Sequence, residues 1–458
     1  MDSQSASKEM RVKKTMDWLE ARPDIKNLRV GLYDLNGIMR GKLIPVAQAE
    51  KALKGGMRIP LSTTSVDIWG NDIANSELVY ETGDGDGILE WTGCDILPMD
   101  WLSQPTGLIP LWMANENGAS FSADPRRALA AVLDEYKSLG FKPVVATELE
   151  FYLVDPSQTR PTTPKSPITG KSLDANAVLS VDEIDHFDAF FNDVYAACAD
   201  MNVPADAAIA EGGAGQFEIN LLHCDDALQA ADDAMLFKRI VKGMARKHNV
   251  TASFMAKPYS ERSGNGLHVH FSMLNEKGDN VFNDGSDEGS KTLQHAVAGL
   301  LSAMQESTLI FAPHLNSYRR LQPQTHAPSV VCWGYENRHA AIRIPGGPPV
   351  ARRIEHRVAG ADANPYLVLA AVLGAALEGI KAEKMPAAPI DGDDYLGKMP
   401  PLPTDWHSAI SAFENGKMLP AIFSPLLRKL YASCKNQEYG VFAEQVTDFE
   451  YKTYLETT

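Results

Sequence analysis

The sequence predicts an α+β protein with a small N-terminal domain and a larger second one, and three observations carry that prediction. First, residues 28–111 read as short strand-like runs broken by Gly, Asp and Asn, at 28–33, 41–45 and 87–90, with one short helix at 47–53. That texture is a small mixed sheet. Second, it gives way at Ser122-Ala123-Asp124-Pro125, where an N-cap Asp precedes an N1 Pro and helical apolar spacing continues over 126–139. The boundary is therefore placed near Gly118, giving domains over 15–117 and 118–458. Third, strand-like segments at 143–153, 216–222, 251–256, 267–274 and 340–345 alternate irregularly with helices at 185–201, 227–248 and 293–305, a layout of sheet and flanking helices. No repeat with a period of about 20–50 residues is visible. The Pro-, Ser- and Thr-rich stretch 156–173 is expected to be an exposed, mobile loop.

Composition narrows the function classes. The chain has 458 residues, 44% apolar and 22% charged, enough for a sizeable core. Its 43 basic against 59 acidic residues give a net charge of -16, which disfavours nucleic acid and anionic membrane as partners. Cys94, Cys198, Cys224, Cys332 and Cys434 are scattered with no CxxC pair, so neither a thiolate zinc site nor a disulfide framework is expected. A reducing cytoplasm fits. Residues 1–14 lack the apolar stretch of a secretory leader. The longest apolar run, 366–377, falls short of the roughly 20 residues that cross a bilayer, and reads as a buried helix.

The informative signal is polar residues two apart on strand-like segments, because side chains at i and i+2 share one sheet face. Glu148 and Glu150 point together; so do Gln216, Glu218 and Asn220, then His268, His270 and Ser272, then Arg353, Glu355 and Arg357. One such face is merely the solvated side of a sheet. The four together, with Glu211 just upstream of Glu218, carry five Glu, two His and two Arg but no Lys, which is unlike a solvated face. Carboxylates packed together repel and call for cations. Oxygen-rich ligation with an imidazole suits Mg²⁺ or Mn²⁺ rather than zinc, and this many acids suits two ions. A second constellation is basic: between Arg319 and Arg357 lie seven arginines, two acids and no lysine. Arginine captures carboxylate and phosphate bidentately; the alternative, surface ion pairing or an interface, applies mostly to Arg319 and Arg352. Divalent cations beside arginines suggest phosphoryl transfer from a nucleotide, and no Walker-type P-loop is present to hold it.

These motifs together resemble the glutamine synthetase family over nearly the whole chain. They are Asp34-Leu35-Asn36-Gly37-Ile38-Met39-Arg40-Gly41-Lys42, Glu148-Leu149-Glu150-Phe151, Glu211 with Gly215-Gln216-Phe217-Glu218-Ile219-Asn220, Gly266-Leu267-His268-Val269-His270-Phe271-Ser272, Asn316-Ser317-Tyr318-Arg319-Arg320-Leu321, Asn337-Arg338 with Arg343-Ile344-Pro345, Arg353-Ile354-Glu355-His356-Arg357, and Ala363-Asn364-Pro365-Tyr366. The resemblance implies an N-terminal β-grasp domain followed by a catalytic domain with a curved antiparallel sheet and flanking helices. It also implies a homo-oligomer, usually a dodecamer of two hexameric rings, with each active site shared between neighbouring subunits. By motif position Glu150, Glu211 and Glu218 would hold one metal ion, and Glu148, His268 and Glu355 the other. His270, Ser272, Arg343 and Arg353 would contact ATP. Arg320 and Arg357 would clamp the carboxylates of glutamate, Gly264 would line its amino end, and Arg338 would steady the transferring phosphoryl group. The implied chemistry is attack of the γ-carboxylate of glutamate on ATP to give an acyl phosphate, from which an amine displaces phosphate.

The sequence departs from the family's ammonia-using members at informative places. Their acidic flap residue, in a Gly-Tyr-Glu-Ala-Pro-like stretch, is replaced by His326 within Gln324-Thr325-His326-Ala327-Pro328. A second acid, in a small-domain segment, is matched by Ser62 in Leu61-Ser62-Thr63-Thr64-Ser65. An ammonium ion needs close negative charge to be bound and deprotonated, so both losses argue against ammonia. The chain resembles more closely the branch that joins glutamate to putrescine or a related polyamine. Two readings of His326 stand at this point, a proton acceptor for the incoming amine or a spacer that shapes the flap. Ser263 replaces a usual Asn, Val350 replaces a frequent Lys, and Asp394-Tyr395-Leu396 is a poor match to the tyrosine that some bacterial members modify. Rival functions are ordinary glutamine synthesis, ligation of a monoamine or aromatic amine, and a non-catalytic ring protein of the same fold.

Overall fold

The computed structural model describes residues 3–157, 160–323, 325–392 and 397–458. Gln324 of the altered flap and the Asp394-Tyr395-Leu396 segment lie outside them. Six strands form the small sheet: β1 Asn27–Tyr33, β2 Met39–Pro45, β3 Met57–Pro60, β4 Asp86–Trp91, β5 Leu97–Pro98 and β6 Thr106–Ala114. Their order is β2-β1-β6-β4-β3, with β5 on β6. The sheet is mixed as expected: β1 pairs β2 antiparallel and β6 parallel. This is the hairpin-plus-parallel-strand arrangement expected of a β-grasp. The strand β6 was not anticipated, because Pro110 interrupts an apolar run buried almost throughout, leaving no alternation to read. The helix Ser3–Glu20 was also not anticipated; it turns Val12, Thr15 and Leu19 inward along an otherwise charged sequence.

The large sheet comprises β7 Phe141–Val154, β8 Ala205–Ala210, β9 Gln216–Leu221, β10 Thr251–Ser253, β11 Leu267–Asn275, β12 Trp333–Tyr335, β13 Ile342–Ile344 and β14 Ile354–His356. Its order is β12-β13-β14-β11-β7-β9-β8, with β10 on β7, and every pair is antiparallel except β12 with β13. The predicted helix at 185–201 is two, Val181–Asp185 and Asp188–Asp200, and the predicted helix at 293–305 extends over Lys291–Phe311. The two faces of β7 differ in kind. Leu149, Phe151 and Leu153 are fully buried, and the ring of Phe151 is surrounded by those of Phe190, Phe217, Phe237 and Phe254. Helices Pro125–Ser138 and Ala227–Lys247 pack on that side, so Glu148 and Glu150 must face the other way.

Helix Pro365–Ala382 is apolar and long enough to cross a membrane, but it is buried within the protein, as the 366–377 run suggested. The 156–173 stretch has no regular element among its described residues, yet its exposure was overstated. Ser166 and Leu173 are buried, and Ser166 Oγ lies 3.0 Å from His186 Nδ1. Between the two sheets, Asp124 Oδ1 caps helix Pro125–Ser138 through the amides of Arg126 and Arg127 while Oδ2 accepts from Met113 N of β6 at 2.8 Å. The Asp34–Lys42 motif joins the small sheet to the C-terminal helices. Asn364 Nδ2 donates to Asp34 O at 3.0 Å, and Asn36 Nδ2 donates to the buried Glu438 Oε1 at 2.9 Å. Lys435, fully buried, donates to Glu438 Oε2 at 2.8 Å and also to Asn36 Oδ1.

Candidate active site

Sheet register gathers the polar faces. Glu148 of β7 lies opposite His268 of β11 on one side and Asn220 of β9 on the other, while Glu150 faces Glu218. His270 lies opposite Glu355 of β14, which in turn faces Arg343 of β13. The sequence shows which residues share a face within each strand; the register makes neighbours of the strands themselves.

Glu148 is the centre of this arrangement. His268 Nδ1 lies 3.0 Å from Glu148 Oε2, and His270 Nε2 lies 2.9 Å from Oε1. Burial pushes the Glu148 carboxyl up, but its contacts with His268 and His270 outweigh burial and hold it well below the usual range. An ionised carboxylate only accepts, so His268 must donate from Nδ1, leaving the Nε2 lone pair for another partner. That nitrogen looks toward Gly266: a Cβ built on Gly266 would lie 3.1 Å from His268 Nε2, 3.3 Å from Glu150 Oε1 and 2.9 Å from Arg320 Nη2. A side chain there would crowd all three groups, so glycine lets the imidazole, the carboxylate and the guanidinium approach one another over it. His270 Nε2 is buried and, despite its closeness to Glu148, is not aligned for a hydrogen bond with it or with anything else described. Arg353 Nε donates to the other ring nitrogen, Nδ1, at 3.3 Å.

The remaining acids meet the opposite environment. Glu218 is pushed up to about 10 by burial and then by Glu148, Glu150 and Glu211. Glu211, in the turn after β8, is pushed up to about 7 by burial and by Glu150, with the exposed Arg338 pulling the other way. Ligand atoms within 4.8 Å of one another group Glu148 with Glu218 and His268, and Glu148 with His270 and Glu355. These groupings cut across the two expected ligand sets and add His270, which the resemblance had placed on ATP. The donor set itself fits hard divalent ions: carboxylates that cannot all ionise together unless a cation joins them, with one imidazole lone pair presented.

Glu355, 1% exposed, is gripped by Arg343 Nη1 at 2.8 Å on one oxygen and by Arg357 Nη1 on the other. Burial would raise its pKa, but Arg357, His270 and His268 outweigh burial and lower it. Arg320 is buried and donates through Nη1 to Val358 O at 2.7 Å; the Cβ of a residue replacing Gly264 would press on its side chain at 2.9 Å. The described part of the altered flap is tied to it, since Thr325 Oγ1 donates to Arg320 O at 2.8 Å, and His326 is exposed there. Ser272 lies two residues beyond His270 on the same face and is half-buried. Ser62 is buried and Val350 is exposed. Arg352 is not a surface residue: it is 6% exposed and donates to Ser286 O at 3.1 Å.

Two contributors, Asn265 and Glu336, were missed. Gln216, read in the sequence as part of a polar face but given no role, bridges through Nε2 to Gly264 O at 2.9 Å and to Asn265 Oδ1 at 3.1 Å, and Asn265 is fully buried. Glu336 lies 3.6 Å from Arg343 Nη2 and adopts φ 54°, uncommon for a residue other than glycine. Its signal was present, as one of only two acids in the arginine-rich stretch.

Comparison with known proteins agrees with this geometry. The profile described as "Glutamine synthetase, catalytic domain" matches residues 122–454. The chain is 38% identical to the γ-glutamylputrescine synthetase PuuA of Escherichia coli (strain K12), over 96% of this chain and 93% of that one. It is 30% identical to a glutamate–isopropylamine ligase of a Pseudomonas species, over 99% of each. The solved structure titled "Apo GmaS without ligand" superposes with a TM-score of 0.82 at 28% identity, covering 95% of this chain and 98% of that one. A carboxylate-histidine cluster facing an arginine cluster across one curved sheet, and these likenesses along nearly the full length, place the chain in the glutamine synthetase family.

Proposed function

We propose that this chain is an ATP-dependent ligase that joins the γ-carboxylate of glutamate to a primary amine, putrescine or a related polyamine, through a γ-glutamyl phosphate intermediate. One observation carries the reading: Glu148, Glu218, His268 and Glu355 converge next to Arg343 and Arg357 on one sheet face, an array suited to holding two anions together. The reaction requires that array, because a carboxylate must approach a triphosphate against charge repulsion. Glu150, Glu211 and Glu218 would hold one Mg²⁺ or Mn²⁺, and Glu148, His268 and Glu355 a second; when bound, these ions offset phosphate and carboxylate charge. Arg320 and Arg357 receive the carboxylates of glutamate, with Gly264 at its amino end. His270, Ser272, Arg343 and Arg353 hold the nucleotide.

A γ-carboxylate oxygen of glutamate attacks the terminal phosphorus, and the bond to the ADP oxygen breaks. Arg338 steadies the transferring group, the role its motif position implies. The amine nitrogen then attacks the acyl carbon, phosphate leaves, and His326 on the exposed flap takes the proton from nitrogen. The small domain would complete a neighbour's site within a double hexameric ring, and free cysteines throughout suit a reducing cytoplasm. The named activities of the two relatives, on putrescine and isopropylamine, support an amine larger than ammonia.

The test is phosphate release with ATP, Mg²⁺ and glutamate across ammonia, putrescine, spermidine, monoamines and aniline. Putrescine or a longer polyamine should give the highest kcat/KM. A preference for ammonia would make this a glutamine-forming enzyme, and silence with every amine would leave a non-catalytic ring protein.

A further inference from the structure

The polar face shared by β7 and β9 continues one step past the acids. Glu148 lies opposite Asn220 and Glu150 opposite Glu218, and the next pair on that face is Tyr152 opposite Gln216, both buried. Neither is among the residues that would hold metal, nucleotide or glutamate.

The carboxamide of Gln216 has a single orientation that satisfies its surroundings. Its Nε2 meets three acceptors, Gly264 O at 2.9 Å, Asn265 Oδ1 at 3.1 Å and Glu150 Oε2 at 3.4 Å, while its Oε1 accepts from Gly213 N at 3.0 Å. Turning the amide over would set an oxygen against three oxygens and a donor against a backbone N–H. The acceptors are themselves fixed. Asn265 Nδ2 donates to Ser253 O at 3.2 Å and Met255 O at 2.9 Å, which leaves its Oδ1 facing Gln216, and Glu150 Oε2 also accepts from Gly266 N at 2.7 Å.

One side chain thereby touches three parts of the site: the turn that follows Glu211, the loop before β11 that carries Gly264, and the carboxylate of Glu150. Tyr152 repeats the tie from the opposite strand. Its hydroxyl donates to Ser263 O at 2.9 Å, and a Cβ on Gly213 would lie 1.9 Å from that hydroxyl, so the turn and the loop both rest against it.

We infer that Gln216 is a positioning residue that couples glutamate binding to metal loading, by holding the Gly264 loop in register with Glu150 and the Glu211 turn. The inference rests on where the ligase reading places metal and glutamate, and adds a residue to it. Immobilising Glu150 and the Glu211 turn on a cation orders two neighbours of the amide, and through it Gly264 and Asn265. By linkage, glutamate then tightens the cation by the same factor.

The experiment is calorimetric titration of glutamate into the full-length protein with and without Mn²⁺, in the absence of ATP, so that no turnover is needed. Wild type is compared with Gln216→Met, which fills similar space with neither donor nor strong acceptor, and with Gln216→Glu, which keeps an acceptor for Gly213 N but sets an oxygen against Gly264 O and Asn265 Oδ1. Mn²⁺ should tighten glutamate in wild type, and in both variants that tightening should shrink by about tenfold, within the range of about 10–100-fold for losing an outer partner of a metal site. Titration of Mn²⁺ with and without glutamate should give the same factors. Equal weakening of glutamate with and without Mn²⁺, or failure of both variants to fold, marks a merely structural amide and overturns the inference; so does a coupling factor unchanged from wild type. Those outcomes leave the ligase reading intact, whereas a wild type that binds no glutamate under either condition overturns both.

Discussion

On the polar face of the large sheet, the same residue type meets opposite environments within a few strands. Toward β14, Glu148 and Glu355 are already compensated, by two histidines and two arginines, and both are held below the usual carboxylate range. Toward β9, Glu211 and Glu218 face burial and other carboxylates, and are raised to about 7 and about 10. One half of the site is electrically complete in the protein alone, while the other is complete only when cations arrive. The difference implies that the β9 half governs metal loading, and the β14 half holds the site together.

The largest effect follows from removing a carboxylate of the incomplete half. Glu218→Ala should reduce turnover by ~10²-fold or more with every amine, since loss of a mere outer partner of a metal site already costs 10–100-fold. Retained activity at saturating Mg²⁺ would remove Glu218 from the metal-binding set.

Stability should show the reverse order. Glu355→Gln leaves two buried guanidiniums facing a neutral amide and should destabilise the protein by about 3–5 kcal/mol, as for other broken buried pairs. Glu218→Gln replaces a carboxyl that is already protonated near neutrality, so the metal-free protein should change by less than about 1 kcal/mol. Urea unfolding of both variants without metal checks this. Equal losses would erase the distinction between the halves.

Much of this contrast was legible in the sequence, and what was not has a physical reason. The pairs Glu148/Glu150 and His268/His270 could be read because a strand alternates with period two. That Glu218 adjoins Glu150, or that His270 crosses to Glu148, depends on strand order and register, which alternation within one strand does not encode. The joint built by Asn36, Lys435 and Glu438 unites residues 399 and 402 positions apart, and each alone reads as a surface residue. Helix Ser3–Glu20 escaped notice because its inner face has little more than Val12, Thr15 and Leu19 to mark it.

The two halves should also titrate oppositely. Glu211 and Glu218 have folded pKa values above the unfolded value of about 4.3, so the folded metal-free protein binds the extra protons. Their contribution to stability is present below about 4.3 and is lost as pH rises toward about 7 and about 10. Glu148 and Glu355, with lowered values, contribute above about 4.3 and lose that contribution as the solution is acidified. Because cations must displace the protons on Glu211 and Glu218, metal affinity should rise with pH on account of both protons below about 7 and of the Glu218 proton alone from about 7 to about 10, by up to ~10-fold per unit for each proton displaced. Calorimetry with Mn²⁺ in buffers of different ionisation enthalpy reads the protons released, and pH-independent binding without proton release would contradict the assignment.

The smallest effect concerns the flap, which lies outside both halves yet bears on how the amine is deprotonated. His326 is exposed on a segment tied to Arg320 through Thr325. A carboxylate at this position would attract ammonium and accept its proton, whereas an imidazole near neutrality holds cations poorly. His326→Glu should therefore raise kcat/KM for ammonia relative to putrescine by about 3–10-fold, one charge pair near a surface being worth about 1 kcal/mol. Since the substitution leaves Glu148, Glu218 and Glu355 unchanged, metal affinity should stay constant. An unchanged ammonia-to-putrescine ratio would show that His326 only shapes the flap and that selection of the nucleophile lies elsewhere in the site.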